Sequence, residues 1–170
     1  MTDFYIFRHG DTIDSGSLLT KIFGHKRDSH ALPILPKGVP ALEKIGEFLK
    51  SIPTDADFCS PYLRCMDSAK IVGDIAGKIY QSDERIQELE GNGEGFPSFK
   101  KRVVDFFNEI DKKNYSTVSI CTHGAVIAAI KHLKTSGKFF FFQVLDFPNP
   151  GNLIIIKNRK TSTINFNKMV

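Results

Sequence analysis

Arg8 and His9 follow directly on the apolar run Phe4-Tyr5-Ile6-Phe7. A short run of that kind reads as a β-strand, and open α/β sheets hold their ligands at the carboxyl ends of strands. The guanidinium fork of an Arg matches phosphate oxygens, and a neutral imidazole can attack phosphorus. Taken alone, Arg8-His9-Gly10 reads as an ordinary strand end with a solvated Arg. Two further strand-to-helix junctions repeat the pattern. Ser60-Pro61-Tyr62-Leu63-Arg64 follows the candidate strand Asp57-Phe58-Cys59, and Thr122-His123-Gly124 ends the β-rich run that starts at Thr117. Between them Arg85-Ile86-Gln87-Glu88 places a carboxylate in a polar stretch. Two guanidinium groups, two imidazoles and one carboxyl are the parts needed to transfer a phosphoryl group through a phosphohistidine without a metal.

The residue types suggest their roles. His9 is the expected nucleophile, which splits one difficult displacement into two. Arg8, Arg64 and His123 form an electrostatic clamp for the equatorial oxygens of the transferring group. Glu88 is the expected general acid for the leaving oxygen and then the base for water; Glu90 and Glu94 are its neighbours and rivals. Gly10 and Gly124 are expected to let backbone approach the ligand, with Thr12 and Ser15 adding polar contacts. No metal ligand set is expected, because His25 and His30 lack carboxylate or Cys companions.

The elements that must position these groups alternate. Strands are expected at 3–7, 57–60 and 117–121, with a short edge strand at 79–82. Helices are expected at 36–51, 61–78, 98–111 and 124–134, each with apolar residues at helical spacing. In the second helix the expected buried stripe is Leu63, Met66, Ile71 and Ile75. Segments 152–157 and 161–166 read as a hairpin around Asn158-Arg159-Lys160. The alternation predicts a three-layer α/β/α sandwich with a mostly parallel central sheet. The long polar loop from Ile13 to Leu32 carries Lys21, His25, Lys26 and Arg27, candidates for binding a second anionic group. Phe139-Phe140-Phe141-Phe142 reads as core packing.

Composition narrows the function classes. At 170 residues the chain is long enough for one domain with a real core. A net charge of +4 from scattered basic pairs suits a small anionic substrate and gives no stripe for nucleic acid. No stretch is long and apolar enough to span a bilayer. The start of the chain lacks the pattern of a signal peptide, so a cytoplasmic location is expected. Three cysteines, Cys59, Cys65 and Cys121, form no Cys-x-x-Cys pair and read as small buried hydrophobes.

Taken together, these segments resemble the histidine phosphatase superfamily in its phosphoglycerate mutase-like branch. Arg8-His9-Gly10-Asp11-Thr12 is similar to the family signature. Ser60-Pro61-Tyr62-Leu63-Arg64-Cys65 is similar to its Ser-Pro-Leu-x-Arg-Ala segment, and Thr122-His123-Gly124-Ala125-Val126-Ile127 to its Ser-His-Gly-Gly-Val-Ile segment. Leu35-Pro36-Lys37-Gly38 stands where the family has Leu-Thr-x-x-Gly, and Arg85-Ile86-Gln87-Glu88 where it has Leu-x-Glu. The resemblance implies a phosphoglycerate mutase-like fold over residues 1–170 as a single domain, the same five catalytic groups and no cofactor. It implies a small phosphorylated substrate, with phosphate or sulfate able to occupy the pocket, and a monomer or homodimer.

The departures from the family shape the expected activity. Ser15 stands where many mutase-like members carry Asn, and the segment between Glu88 and His123 is short, which reduces the lid insertion. An open pocket favours hydrolysis over a mutase cycle, in which a phosphorylated intermediate is shielded from water. Short protein phosphohistidine phosphatases share the reduced lid but more often carry Ala at the position of Thr12 and lack a Gly after the second His. Acid phosphatases and phytases carry Arg at the Thr12 position. The expected activity is a metal-independent phosphomonoester phosphatase. The alternatives are a protein phosphohistidine phosphatase, a phosphoglycerate mutase-type phosphotransferase and an inactive phospho-ligand binding module.

Overall fold

In the first strand, β1 (Asp3–Arg8), successive side chains point to opposite faces, and both faces are buried. This explains its unbroken apolar run, which a strand covered on one side only would not need. The computed structural model describes residues 1–13, 29–89 and 94–168. After β1 come α1 (Val39–Lys50), β2 (Ala56–Cys59), α2 (Leu63–Ala76), β3 (Gln81–Ser82), α3 (Phe96–Lys113), β4 (Thr117–Thr122), α4 (Gly124–Ser136), β5 (Asn152–Lys157) and β6 (Lys160–Asn165).

The six strands form one sheet in the order β3-β2-β4-β1-β5-β6. β3, β2, β4 and β1 run parallel, and the β5–β6 hairpin is added antiparallel beside β1. The fold is therefore the expected α/β sandwich with a mixed, mostly parallel sheet. Phe4 and Ile6 face a core filled by Phe99, Val103, Phe106 and Ile110 of α3 and Val126 and Ile130 of α4. Tyr5 and Phe7 face the opposite core, with Leu42, Ile45 and Leu49 of α1 and Ala69 and Val72 of α2.

Register delivers the chemistry to one end of the sheet. Arg8 pairs with Thr122, and Cys59 with Cys121. Each strand leaves the ladder one residue later with a last hydrogen bond: the His9 N–H donates to the Thr122 carbonyl at 3.1 Å and the Ser60 N–H to the Cys121 carbonyl at 3.0 Å. His9, Ser60 and His123 thus lie side by side beyond the carboxyl ends of β1, β2 and β4.

Three sequence expectations change. α2 buries Arg64, Cys65, Ser68, Ala69, Val72 and Gly73, whereas Leu63 and Met66 are exposed. The face turned inward is the one that carries Arg64 to the sheet end, so the apolar stripe through Leu63 and Met66 was read in the wrong phase. The Phe139–Phe142 run splits: Phe139 is fully buried, while Phe140, Phe141 and Phe142 are exposed around a 3-10 turn at Phe141–Leu145. The expected helix from Pro36 begins instead as a 3-10 turn, Pro36–Gly38, before α1. Among the described residues no helix is long and apolar enough to cross a membrane.

Candidate active site

His9 is buried, and its ring is fixed at both nitrogens. Nδ1 lies 2.8 Å from the Gly10 carbonyl oxygen, and Nε2 lies 3.2 Å from Nε of Arg64. A carbonyl only accepts and a guanidinium only donates. Nδ1 therefore carries the proton, and Nε2 presents a lone pair toward Arg64.

The second imidazole is held in the complementary way. Arg64 Nη2 lies 3.2 Å from His123 Nδ1, and His123 Nε2 lies 2.7 Å from Oγ of Ser60. Burial pushes the His123 imidazole well below its ordinary value, and the positive charges around it act in the same direction. The ring is neutral, so its 3.8 Å approach to a Glu88 carboxylate oxygen is not an ion pair. The His9 and His123 rings stand 5.2 Å apart with Arg64 joining them. Tyr62 walls this group, its ring 4.9 Å from that of His123 and 4.8 Å from the Arg64 guanidinium carbon.

Arg8 completes the cationic side. It is buried, donates from Nη1 to the Pro148 carbonyl at 3.1 Å and lies 5.0 Å above the Phe147 ring. Its Nε is buried without a hydrogen-bond partner, an available donor beside the site. Burial lowers the Arg8 pKa, while the nearby Glu88 opposes that shift. Two helix starts face the same place. α2 begins after Tyr62 and α4 after His123, and neither preceding side chain caps its helix. Uncapped N–H groups and the positive helix end favour an anion.

One ligand atom each from His9, Glu88 and His123 falls within 4.8 Å of the others, a spacing a metal ion could accept. Both ring nitrogens of this trio that face inward already receive Arg64 N–H groups. A cation there would meet that guanidinium, so the donor set suits an oxyanion and fits a metal poorly.

The structure thus brings Arg8, His9, Arg64, Glu88 and His123 together. Thr12 is buried near the same loop. The two glycines are explained by packing. A Cβ on Gly10 would meet Leu42 and Ile34 at 3.2 and 3.3 Å, and one on Gly124 would meet the Phe147 ring at 2.9 Å. Glu94 is engaged elsewhere, both its oxygens bound by Arg102 at 2.6 and 2.7 Å. Ser15, Lys21, His25, Lys26, Arg27 and Glu90 lie outside the described residues.

Sequence reasoning missed three supporting groups. Ser68 accepts from the Gly10 N–H at 2.9 Å and donates to the Arg64 carbonyl at 2.6 Å, tying the loop after β1 to α2. Its spacing of four from Arg64 puts it on the same helical face, a signal that was available. Ser60 orients His123 from within the Ser-Pro segment. Arg102, on α3, has no local signal at all.

Residues 4–93 match the sequence profile of the histidine phosphatase superfamily (branch 1). The chain belongs to this superfamily. The matched stretch holds Arg8, His9, Arg64 and Glu88, while His123 lies beyond it. No curated protein sequence matches the chain significantly. Solved structures of the superfamily fold resemble it over nearly its whole length. The α-ribazole phosphatase from Shigella flexneri is 16% identical with a TM-score of 0.73, covering 98% of this chain and 96% of that one. The mycobacterial glucosyl-3-phosphoglycerate phosphatase is 15% identical with a TM-score of 0.73, covering 91% and 89%. The protein histidine phosphatase SixA, complexed with tungstate, is 13% identical with a TM-score of 0.65, covering 96% and 94%. At such identities the likeness carries the fold.

Proposed function

We propose that this histidine phosphatase-superfamily chain hydrolyses phosphomonoesters, without a metal, through a phosphohistidine on His9. The observation that carries the reading is the state of the His9 ring. Its proton is committed to the Gly10 carbonyl, and its Nε2 lone pair stands beside Arg64 in a cluster of fixed cations. Fixed donors of this kind stabilise the charge of a transferring phosphoryl group without reorganising as it develops.

In the first step the His9 Nε2 lone pair forms a bond to phosphorus while the bond from phosphorus to the ester oxygen breaks. The leaving oxygen takes the carboxyl proton of Glu88. Arg64, Arg8 and the starts of α2 and α4 hold the phosphoryl oxygens. In the second step water attacks phosphorus and gives a proton to the Glu88 carboxylate. The phosphorus–nitrogen bond breaks, its electron pair returns to Nε2, and phosphate leaves. Both neutral rings accept from Arg64, and the guanidinium turns these N–H groups to the oxyanion when the substrate binds, before transfer begins.

Two neighbours are named as phosphatases of small molecules, α-ribazole phosphatase and glucosyl-3-phosphoglycerate phosphatase, which supports the substrate class; SixA, named as a protein histidine phosphatase, holds tungstate, a tetrahedral oxyanion like phosphate. We read residues 1–170 as one domain with a reduced lid: among the described residues α3 is the one helix between Glu88 and β4. A short cover admits water and favours hydrolysis over a mutase cycle. His9→Ala should abolish phosphate release from para-nitrophenyl phosphate while the circular dichroism spectrum stays unchanged. The parent enzyme should yield an acid-labile, alkali-stable phosphoprotein on rapid quench. Full activity in His9→Ala would overturn the mechanism. Rates on phosphorylated sugars, nucleotides, glycerates and a phosphohistidine carrier protein would then identify the substrate class.

A further inference from the structure

We propose that Arg102 is a positioning residue for the acid, holding the backbone of Glu88 in register with the leaving oxygen; this rests on the role given to Glu88 above. A guanidinium has five N–H donors, and Arg102 directs donors to five acceptors. Nε and Nη2 bind the two carboxylate oxygens of Glu94 at 2.6 and 2.7 Å. Nη1 reaches the carbonyl oxygens of Arg85 and Gln87, both at 2.8 Å, and Nη2 reaches that of Glu88 at 2.9 Å.

Residues 85–88 belong to no strand of the sheet and no α-helix; a 3-10 turn at Glu84–Ile86 is followed by extended backbone at Gln87. Their carbonyls need partners from elsewhere. Arg102 supplies three, and the fourth, at Ile86, accepts from the Thr122 hydroxyl at 2.7 Å. Thr122 ends β4 and precedes His123. The segment carrying Glu88 is therefore fixed on one side to the strand bearing the second imidazole and on the other to α3. The Arg102 plane is itself fixed, lying 4.8 Å over the fully buried ring of Phe99, with Glu94 gripping its edge. The Glu88 side chain adds one local bond, accepting from the Leu89 N–H at 3.2 Å.

A purely structural staple and a positioning residue differ in which substrates suffer. A misplaced acid slows esters whose leaving oxygen needs a proton and spares those whose leaving group departs as a stable anion. The readout is kcat/KM, which reports the first phosphoryl transfer, for para-nitrophenyl phosphate and for glycerol phosphate. Arg102→Lys and Arg102→Gln should lose about 10²-fold more on glycerol phosphate than on the aryl ester, the scale of an acid displaced by about 1 Å. Glu94→Gln, which loosens the clamp and keeps Arg102, should show the same selectivity at about 10-fold. Glu88→Gln is the reference and should show the largest selectivity. Equal losses on both substrates in Arg102→Lys, or no loss, would overturn the proposal while a selective Glu88→Gln leaves the acid in place. An unselective Glu88→Gln would overturn the acid assignment itself. If both Arg102 variants fail to fold by circular dichroism, Glu94→Gln decides by the same criterion.

Discussion

Gly124→Ala adds one methyl group where α4 starts and tests how Arg8 is held. That Cβ would stand 2.9 Å from Cγ, 3.1 Å from Cδ2 and 3.3 Å from Cβ of Phe147. Carbon atoms rest at roughly 3.5–4.0 Å, so the ring must retreat by about 0.8 Å. Gly124 is buried between β4 and the helix core, so α4 does not yield. Phe147 is half-buried on irregular chain between exposed Asp146 and Asn149, and the movement falls there. Phe147 lies under the Arg8 guanidinium and Pro148 accepts its Nη1 N–H, so both supports of Arg8 shift together. Overpacking costs about 1–3 kcal/mol, and Ala in place of Gly in a helix returns up to about 1 kcal/mol. The net loss should be about 1 kcal/mol, a fall in Tm of roughly 2–4 °C. The rate should suffer more, because a displacement near 1 Å of a charge-binding group costs up to about 10²-fold. The assay is kcat/KM on para-nitrophenyl phosphate beside a thermal melt. A variant with kcat/KM within about twofold of the parent would refute the link from Gly124 through Phe147 to Arg8.

Two further outcomes follow from buried groups. Ser68→Ala strands the Gly10 N–H in the interior, while the Arg64 carbonyl keeps its intrahelical bond from the N–H of residue 68; the change should cost about 1–3 kcal/mol by urea denaturation, and a loss below about 0.5 kcal/mol would show that the bridge is dispensable. His123 is neutral in the fold, its pKa held well below the ordinary 6.5 mainly by burial. Above that value both folded and unfolded chains hold it neutral, and it contributes no pH dependence. As the pH falls below it, the unfolded chain takes the proton first, so stability drops by up to about 1.4 kcal/mol per pH unit until the folded ring titrates. His123→Gln should flatten that acid slope between about pH 7 and pH 5 in urea titrations. An unchanged slope would mean that His123 is not the group responsible.

The parts of this molecule that were legible in sequence are those written locally. The run Phe4–Phe7 reads as a strand and forms one, with Arg8 as its last residue and His9 just beyond. The α3 stripe of Phe99, Val103, Phe106, Phe107 and Ile110 is buried as its spacing requires. α2 misled because its inward face carries polar groups and so breaks the rule that the apolar side is the buried side. It turns Arg64 and Ser68 inward and leaves Met66 in solvent. For Gly10 and Gly124 the structure adds a reason that sequence could not show, protein packed where a Cβ would stand. Phe139 and Phe140 are adjacent and identical in type, and only the path of the chain around the 3-10 turn separates the buried ring from the exposed one. Arg102 lay beyond reach of sequence reasoning because its partners at Arg85, Gln87 and Glu88 are backbone carbonyls, which every residue possesses.

β1 carries Arg8 and leads directly into His9, and it is bonded along both edges, to β4 and to β5. Fraying begins at rims: the two-residue β3 and the outer β6 can open while the middle of the sheet stays shut. Arg8 and His9 are thus rooted where spontaneous opening is rarest. Warming or denaturant would peel away the margins first, and the footing of Arg8 and His9 would be lost only with the middle of the sheet.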